Sequence, residues 1–261
     1  MRFVIILWFA IWVLIAFALM GLLSSAHAWD YFKTWGTYFS INPKVCSMLP
    51  DPTIEPRIQE IQNATSNALD EWQIKLQNTT DGNWQIYRQF YEWEEHGHLT
   101  VDDFPECSAF INYIGETNSF MATHGILGTA TVDFEKDHYL LKIQTQIVKR
   151  TLQITLGSTY ADSTSGMKSV EREIPINDVE NVIKHEFGHA LGLEHFYCND
   201  NRSDCIDDSI MYHKLDTFSN STKNITSRDI NMIIKLYGIE GFGTPHPDIP
   251  HTCVISETRT C

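Results

Sequence analysis

The segment HEFGHALGLEH, residues 185–195, concentrates the side chains best able to do chemistry in this chain. His185 and His189 are four apart, so on a helix both imidazoles leave one face and can chelate a single ion, with Glu186 beside them. A catalytic zinc takes three protein ligands, at about 2.0–2.1 Å for histidine nitrogen, and keeps one position open for water. His195 completes the set only if the helix stops first. Gly192 allows that, because a residue without Cβ takes the left-handed conformation that turns the chain back. An ion in such a site polarises a carbonyl and acidifies water, and Glu186 is placed to take that water's proton and pass one to a leaving amine. With this chain's histidine, glycine and glutamate content, HExxHxxGxxH is expected by chance on the order of 10⁻⁴ times per chain. Three ordinary histidines on an ordinary helix are therefore the poorer reading. His213, further on, reads as a solvated loop residue rather than a helper.

These residues need a helix beneath them and elements around it. Asn177 or Asp178 is expected to cap a helix that runs through Val179, Val182, Ile183, Phe187, Ala190 and Leu191 to about 191. It is apolar on more than one side, as a sandwiched helix must be. Before it, Pro56 opens a helix over about 56–77, with Ile58, Ile61, Thr65, Ala68, Leu69, Trp72 and Leu76 at helical spacing. After it, a helix starts near Thr226 or Ser227, carries Ile230, Ile233, Ile234 and Tyr237, and stops at Gly238. Strands are expected at 84–91, 109–114, 128–134 and 139–148, with 151–156 as a fifth. Residues 157–169 read as loop. The divisions are an N-terminal segment 1–28, an irregular lead-in 29–54, one mixed α+β domain over 55–238, and a Pro- and Gly-containing tail 239–261.

Phe3 to Leu23 is an uninterrupted apolar run, followed by Ala26-His27-Ala28. Residues 1–28 thus read as a signal peptide cut after Ala28 or as an uncleaved membrane anchor. Either places the rest outside the cytoplasm, secreted or tethered to the outer face of the membrane. Six cysteines with no CxxC pair agree with export. Short separations favour Cys198 with Cys205 and Cys253 with Cys261, leaving Cys46 with Cys107. Asn63, Asn78, Asn201, Asn220 and Asn224 begin N-x-S/T sequons. The chain is 43% hydrophobic, too apolar for a disordered one, and its net charge of −14 argues against gripping nucleic acid or anionic lipid through a basic surface.

The long histidine motif, with Ser209-Ile210-Met211-Tyr212 downstream, resembles the metzincin metallopeptidases and, within them, the matrixins, relatives of the matrix metalloproteinases. ALDEW at 68–72, AFINYIGE at 109–116 and SRDINMIIKLYG at 227–238 extend the resemblance more weakly. It implies a twisted sheet of mostly parallel strands with one antiparallel edge strand, an active-site helix, a Met-turn at Met211 beneath the metal, and a C-terminal helix. It also implies one catalytic Zn2+ and an extended peptide or protein substrate laid along the edge strand, placed here at 127–132. A monomer is expected, with membrane contact only through residues 3–23. Calcium is a further cofactor that the resemblance brings in, at acidic loops holding Asp133 and Asp137, or Asp200, Asp204, Asp207 and Asp208; a solvated acidic loop is the equal alternative. The chain departs from the matrix metalloproteinases in lacking a cysteine-switch prodomain and in having Phe196 after the third histidine. His124 and His138 read as loop residues rather than ligands of a second zinc. Two other readings stay open: a peptidase of another metzincin branch, and a non-catalytic surface binding module that zinc merely stabilises.

Overall fold

The computed structural model describes residues 39, 41–93, 103–115, 121, 126–134, 148–162, 168–196, 209–212, 215 and 218–243. In chain order its elements are β1 (Lys44–Met48), α1 (Ile58–Thr79), β2 (Tyr87–Tyr91), β3 (Ala109–Ile114), β4 (Gly128–Phe134), β5 (Val148–Thr155), β6 (Gly157–Asp162), β7 (Lys168–Glu173), α2 (Ile176–Ala190) and α3 (Ser227–Tyr237). This is the expected α+β architecture.

Five strands form one sheet in the order β2-β1-β3-β5-β4. β1 runs parallel to β2 and β3, and β3 parallel to β5. β4 alone is antiparallel, pairing Gly128 with Ile154 and Thr131 with Thr151. The edge strand is therefore where the resemblance put it. Alternation along each strand decides which side chains meet the helices. Tyr113 Oη lies 2.5 Å from Thr65 Oγ1 of α1, so Ala109 and Ile111 share the helix side. Phe110 faces the other way and builds a separate cluster with Cys46, Met48 and Cys107, covered by Tyr91 and Phe104.

α1 buries Ile61, Ala64, Thr65, Ala68, Leu69, Trp72 and Leu76, the anticipated stripe with Ala64 in place of Ile58. α2 is buried at every position from Asn181 to Ala190, because it lies between α1 and the β4–β5 end of the sheet. Trp72 Nε1 donates to the Lys184 carbonyl at 3.0 Å, tying the two helices together. α3 is capped at Thr226, whose Oγ1 accepts from Asp229 N, and ends at Gly238 with φ +82°.

Four expectations need correction. The lead-in is not irregular throughout: 44–48 is a strand inside the sheet, hidden in sequence because it is five residues long, carries Ser47, and sits between Pro43 and Pro50. Residues 157–169 are not all loop, since β6 and β7 pair as a polar two-stranded ribbon. β5 runs unbroken from Val148 to Thr155, so the strand expected at 151–156 begins earlier, while the remainder of the strand expected at 139–148 lies outside the described residues; Arg150, which breaks the apolar pattern, is buried with its guanidinium 3.8 Å from the Phe39 ring centroid. Neither Asn177 nor Asp178 caps α2, whose cap is Pro175. Asn177 instead donates to the Asn220 carbonyl, and Ser219 donates to Asp178, so both side chains are drawn to the 219–221 segment.

Cys46 and Cys107 form the expected disulfide. Residues 1–38, Cys198, Cys205, Cys253, Cys261, Asn201 and the tail beyond Gly243 lie outside the described residues. Among the described residues no helix is long and apolar enough to cross a membrane.

Candidate metal centre

His185 and His189 stand on the last turns of α2, one turn apart. Beyond Leu191 the helix breaks at Gly192, where φ is +106°, and Leu193 N returns to donate to the Gly188 carbonyl at 3.0 Å. That reversal brings His195 back. Its Nε2 lies 3.1 Å from His185 Nε2, and His189 Nε2 lies 3.2 Å from the same atom. Nitrogens at about 2.0–2.1 Å from one tetrahedral ion are about 3.3 Å apart, so the spacing fits a single zinc.

The tautomers agree with that fit. His185 Nδ1 lies 2.7 Å from the Ile210 carbonyl, and His189 Nδ1 lies 2.7 Å from the Leu193 carbonyl. A carbonyl can only accept, so each Nδ1 carries the proton and each Nε2 presents a lone pair to the common point. Burial, with the neighbouring His189, pushes His185 down to about 3; burial likewise pushes His189 down to about 4. Both rings are thus neutral, the form that binds metal.

Glu186 is 5% exposed, and burial lifts its carboxyl to about 8 in the protein without metal. It shares a cavity of about 310 Å³ with His189 and His195, lined also by Gly128, Thr129 and Ala130 of β4 and by Glu194. Gly128 is small for a reason: a Cβ there would sit 2.6 Å from Glu186 Oε1 and 2.7 Å from Val182 Cγ1. A larger depression, about 550 Å³, lies away from the histidines around Thr79–Asn83 and Ile239–Glu240; it holds none of the chemistry, so the smaller cavity is the candidate cleft.

The floor of the site is the 209–212 turn. Met211 is fully buried, and its Sδ would lie 2.2 Å from a Cβ placed at Gly188. Asp229 of α3 holds this turn: Ser209 Oγ donates to Oδ1 at 2.5 Å and Ile210 N donates to Oδ2 at 3.3 Å. The same Oδ2 accepts from Thr226 N and Oγ1. The carboxylate that completes the α3 cap therefore also positions the peptide whose carbonyl orients His185. Behind the site, the buried ammonium of Lys184 pairs with Glu71 and Glu180 at 2.7 Å each.

All three expected ligands, Glu186 and Met211 come together. Sequence reasoning missed Gly188, Gly128, Glu194 and Asp229. A glycine in mid-helix costs roughly 1 kcal/mol against alanine, and that cost at Gly188 was the available sign of a close approach. His213, His124, His138, Asp137, Asp200, Asp204, Asp207 and Asp208 lie outside the described residues, and Asp133 enters only as β4 backbone paired with Lys149.

A sequence model of the family described as Matrixin matches residues 44–238, about three quarters of the chain. No curated protein compared with the chain matches it.

Proposed function

Because the chain belongs to the matrixin family, we propose that it is an exported zinc endopeptidase whose ion is held by His185, His189 and His195 and whose general base is Glu186. At family level it is a zinc-dependent metallopeptidase, a hydrolase of protein or peptide substrates. The observation that carries the finer reading is the convergence of three Nε2 atoms, with those of His189 and His195 at 3.2 and 3.1 Å from that of His185, beside the cavity that Glu186 shares with His189 and His195. When bound, zinc supplies the Lewis acid that polarises the scissile carbonyl and acidifies water.

The chain's own residues do the rest. The Ile210 and Leu193 carbonyls hold two ligand rings in orientation, so little is reorganised during reaction. Glu186 accepts the proton of the attacking water and delivers a proton to the leaving amine; burial raises its carboxyl in the metal-free protein, and a bound dication would oppose that rise. Among the described residues β4 is the edge of the five-stranded sheet, and its outer side offers main-chain groups to an extended peptide. The Cys46–Cys107 disulfide supports an oxidising, extracytoplasmic location.

The test is a fluorogenic peptide library on the protein, with zinc quantified in the same sample and Glu186→Ala as control. Cleavage abolished by a chelator and by the substitution is expected. One equivalent of zinc with no cleavage of any peptide would return the chain to a zinc-stabilised binding module.

A further inference from the structure

We propose that Arg228 is a positioning residue that fixes the third ligand, His195, by holding the ring of Phe196; this deepens the metal-site reading above and rests on it. Three observations lead there. First, the guanidinium of Arg228 lies over the Phe196 ring, 4.6 Å from its centroid. At that range a cation is drawn to the negative face of an aromatic ring. Phe196 follows His195 directly in the chain, so whatever holds the Phe196 ring also limits how the His195 backbone can turn.

Second, the arginine stands where a cation is otherwise out of place. Arg228 is in the first turn of α3, at the positive end of the helix dipole, which favours anions and disfavours cations. Its Nη1 is buried and meets no hydrogen-bond acceptor among the described residues. The carboxylate of the adjacent Asp229 is engaged by Ser209, Ile210 and Thr226. The negative face of the Phe196 ring offsets part of both penalties, which ties the arginine to the ring.

Third, the backbone bonds leave this segment a freedom that the ring contact removes. Phe196 N donates to the Met211 carbonyl at 2.6 Å, and Phe196 pairs with Tyr212 as an isolated parallel bridge rather than as part of a ladder. One bridge sets the separation of two chains but lets either roll about it, and a roll at Phe196 swings the His195 ring away from the common point. Arg228 holds the Phe196 side of this bridge, while Asp229 holds the other side, the 209–212 turn. Two consecutive residues of α3 thus fasten the chain that carries His195 and the chain whose Ile210 carbonyl orients His185.

The experiment uses the full chain loaded with Zn2+ or Co2+. Arg228→Met keeps the reach of the side chain and removes its charge. Zinc affinity, measured by competition with a chelator, is expected to fall about tenfold, the lower end of what loss of an orienting group costs. The visible absorption of the Co2+-loaded protein, which follows ligand geometry, is expected to shift. Phe196→Leu should do the same, and the double variant should bind zinc no more weakly than either single one, because both remove one contact. Arg228→Lys, which keeps a cation near the ring, should lie between; with Phe196→Leu it makes the same comparison should the methionine variant not fold. A contact that merely supports folding would lower the urea midpoint of the metal-free proteins and leave zinc affinity and the Co2+ spectrum where they were. That result, or losses that multiply in the double variant, overturns the proposal. His195→Ala separates the two readings. If it weakens zinc binding while Arg228→Met does not, the three-histidine site stands and the positioning role alone fails; if it leaves zinc affinity unchanged, His195 is no ligand and the site reading itself fails.

Discussion

Replacing Gly188 by alanine tests whether α2 and the 209–212 turn touch as closely as the site requires. The added Cβ would stand 2.2 Å from Met211 Sδ, 3.2 Å from its Cε and 3.3 Å from Trp72 Cζ2. Comfortable separation is about 3.5–4.0 Å, so sulfur must retreat by roughly 1.5 Å. It has little room. Met211 is fully buried, its N–H is held by Ser209 Oγ and its carbonyl by Phe196 N, and Trp72 is pinned by the Lys184 carbonyl. Overpacking of this kind costs about 1–3 kcal/mol, against a gain of about 1 kcal/mol from replacing a mid-helix glycine. The net expectation is a loss of about 0–2 kcal/mol, with metal affinity falling about tenfold as the shifted helix carries His185 and His189 with it. A double-mutant cycle with Met211→Ala separates the contributions, because truncating the methionine removes the clash; the pair should couple by about 1–3 kcal/mol. Urea denaturation of the four proteins gives the cycle, and competition with a chelator gives metal affinity. A Gly188→Ala protein stabilised by about 1 kcal/mol, with additive energies and unchanged metal affinity, would refute the close approach.

Asp229→Asn places an amide N–H against donors that now meet carboxylate, so it should cost about 2–4 kcal/mol and weaken metal binding through the displaced Ile210 carbonyl; thermal denaturation and chelator competition check both. Serine at both Cys46 and Cys107 opens a loop with a separation of 61 residues, and the chain-entropy relation predicts a loss of about 4 kcal/mol in urea denaturation, with α1, α2 and the site otherwise intact. Burial raises Glu186 from 4.5 to about 8, so its contribution to the metal-free protein is fully present below pH 4.5 and is lost as pH rises through 8. Compared with Glu186→Gln, the unsubstituted protein should lose about 2–3 kcal/mol between pH 6 and pH 8, and parallel stability curves over that range would contradict the buried carboxyl.

What could be read from sequence was whatever follows from one local rule. The α1 stripe follows from helical spacing; the α3 start from Thr226 and its stop from Gly238; the chain reversal from Gly192, which does adopt φ +106°. β3 and β4 coincide with their apolar and β-branched stretches. What escaped depends on partners distant in sequence. β1 holds a buried Ser47 between prolines, and only its pairing with β2 and β3 makes it a strand. Arg150 interrupts β5 because Phe39, more than a hundred residues away, offers its ring to the guanidinium. Asn177, Asp178 and Asn181 look like cap and surface residues on a helix, yet they fasten residues 219–223 through Asn220, Ser219, Ser221 and Lys223. A motif names ligands; it does not name the residues that aim them.

That distinction bears on how stability and metal binding are linked. The Nε2 lone pairs of His185 and His189 face a point that His195 Nε2 also approaches, and they repel one another unless a cation sits between them; the low proton affinity of His185 and His189 keeps a proton from doing so. The rings are held there by backbone carbonyls from two different turns, the Gly192 reversal and the 209–212 turn, and the second of these is anchored by Asp229 from α3. Folding therefore assembles the repulsive arrangement in advance, and an ion that fits it returns stabilisation to every element that supplies an anchor. By mass action the gain grows as RT ln(1 + [metal]/Kd), about 4 kcal/mol at a thousandfold excess over Kd. On the proposed reading, this coupling should appear as protection from exchange not only at α2 but at the N-terminus of α3, where Thr226 and Asp229 meet the turn. Protection confined to α2 on adding zinc would mean that the Asp229 bridge does not transmit the ligand's orientation.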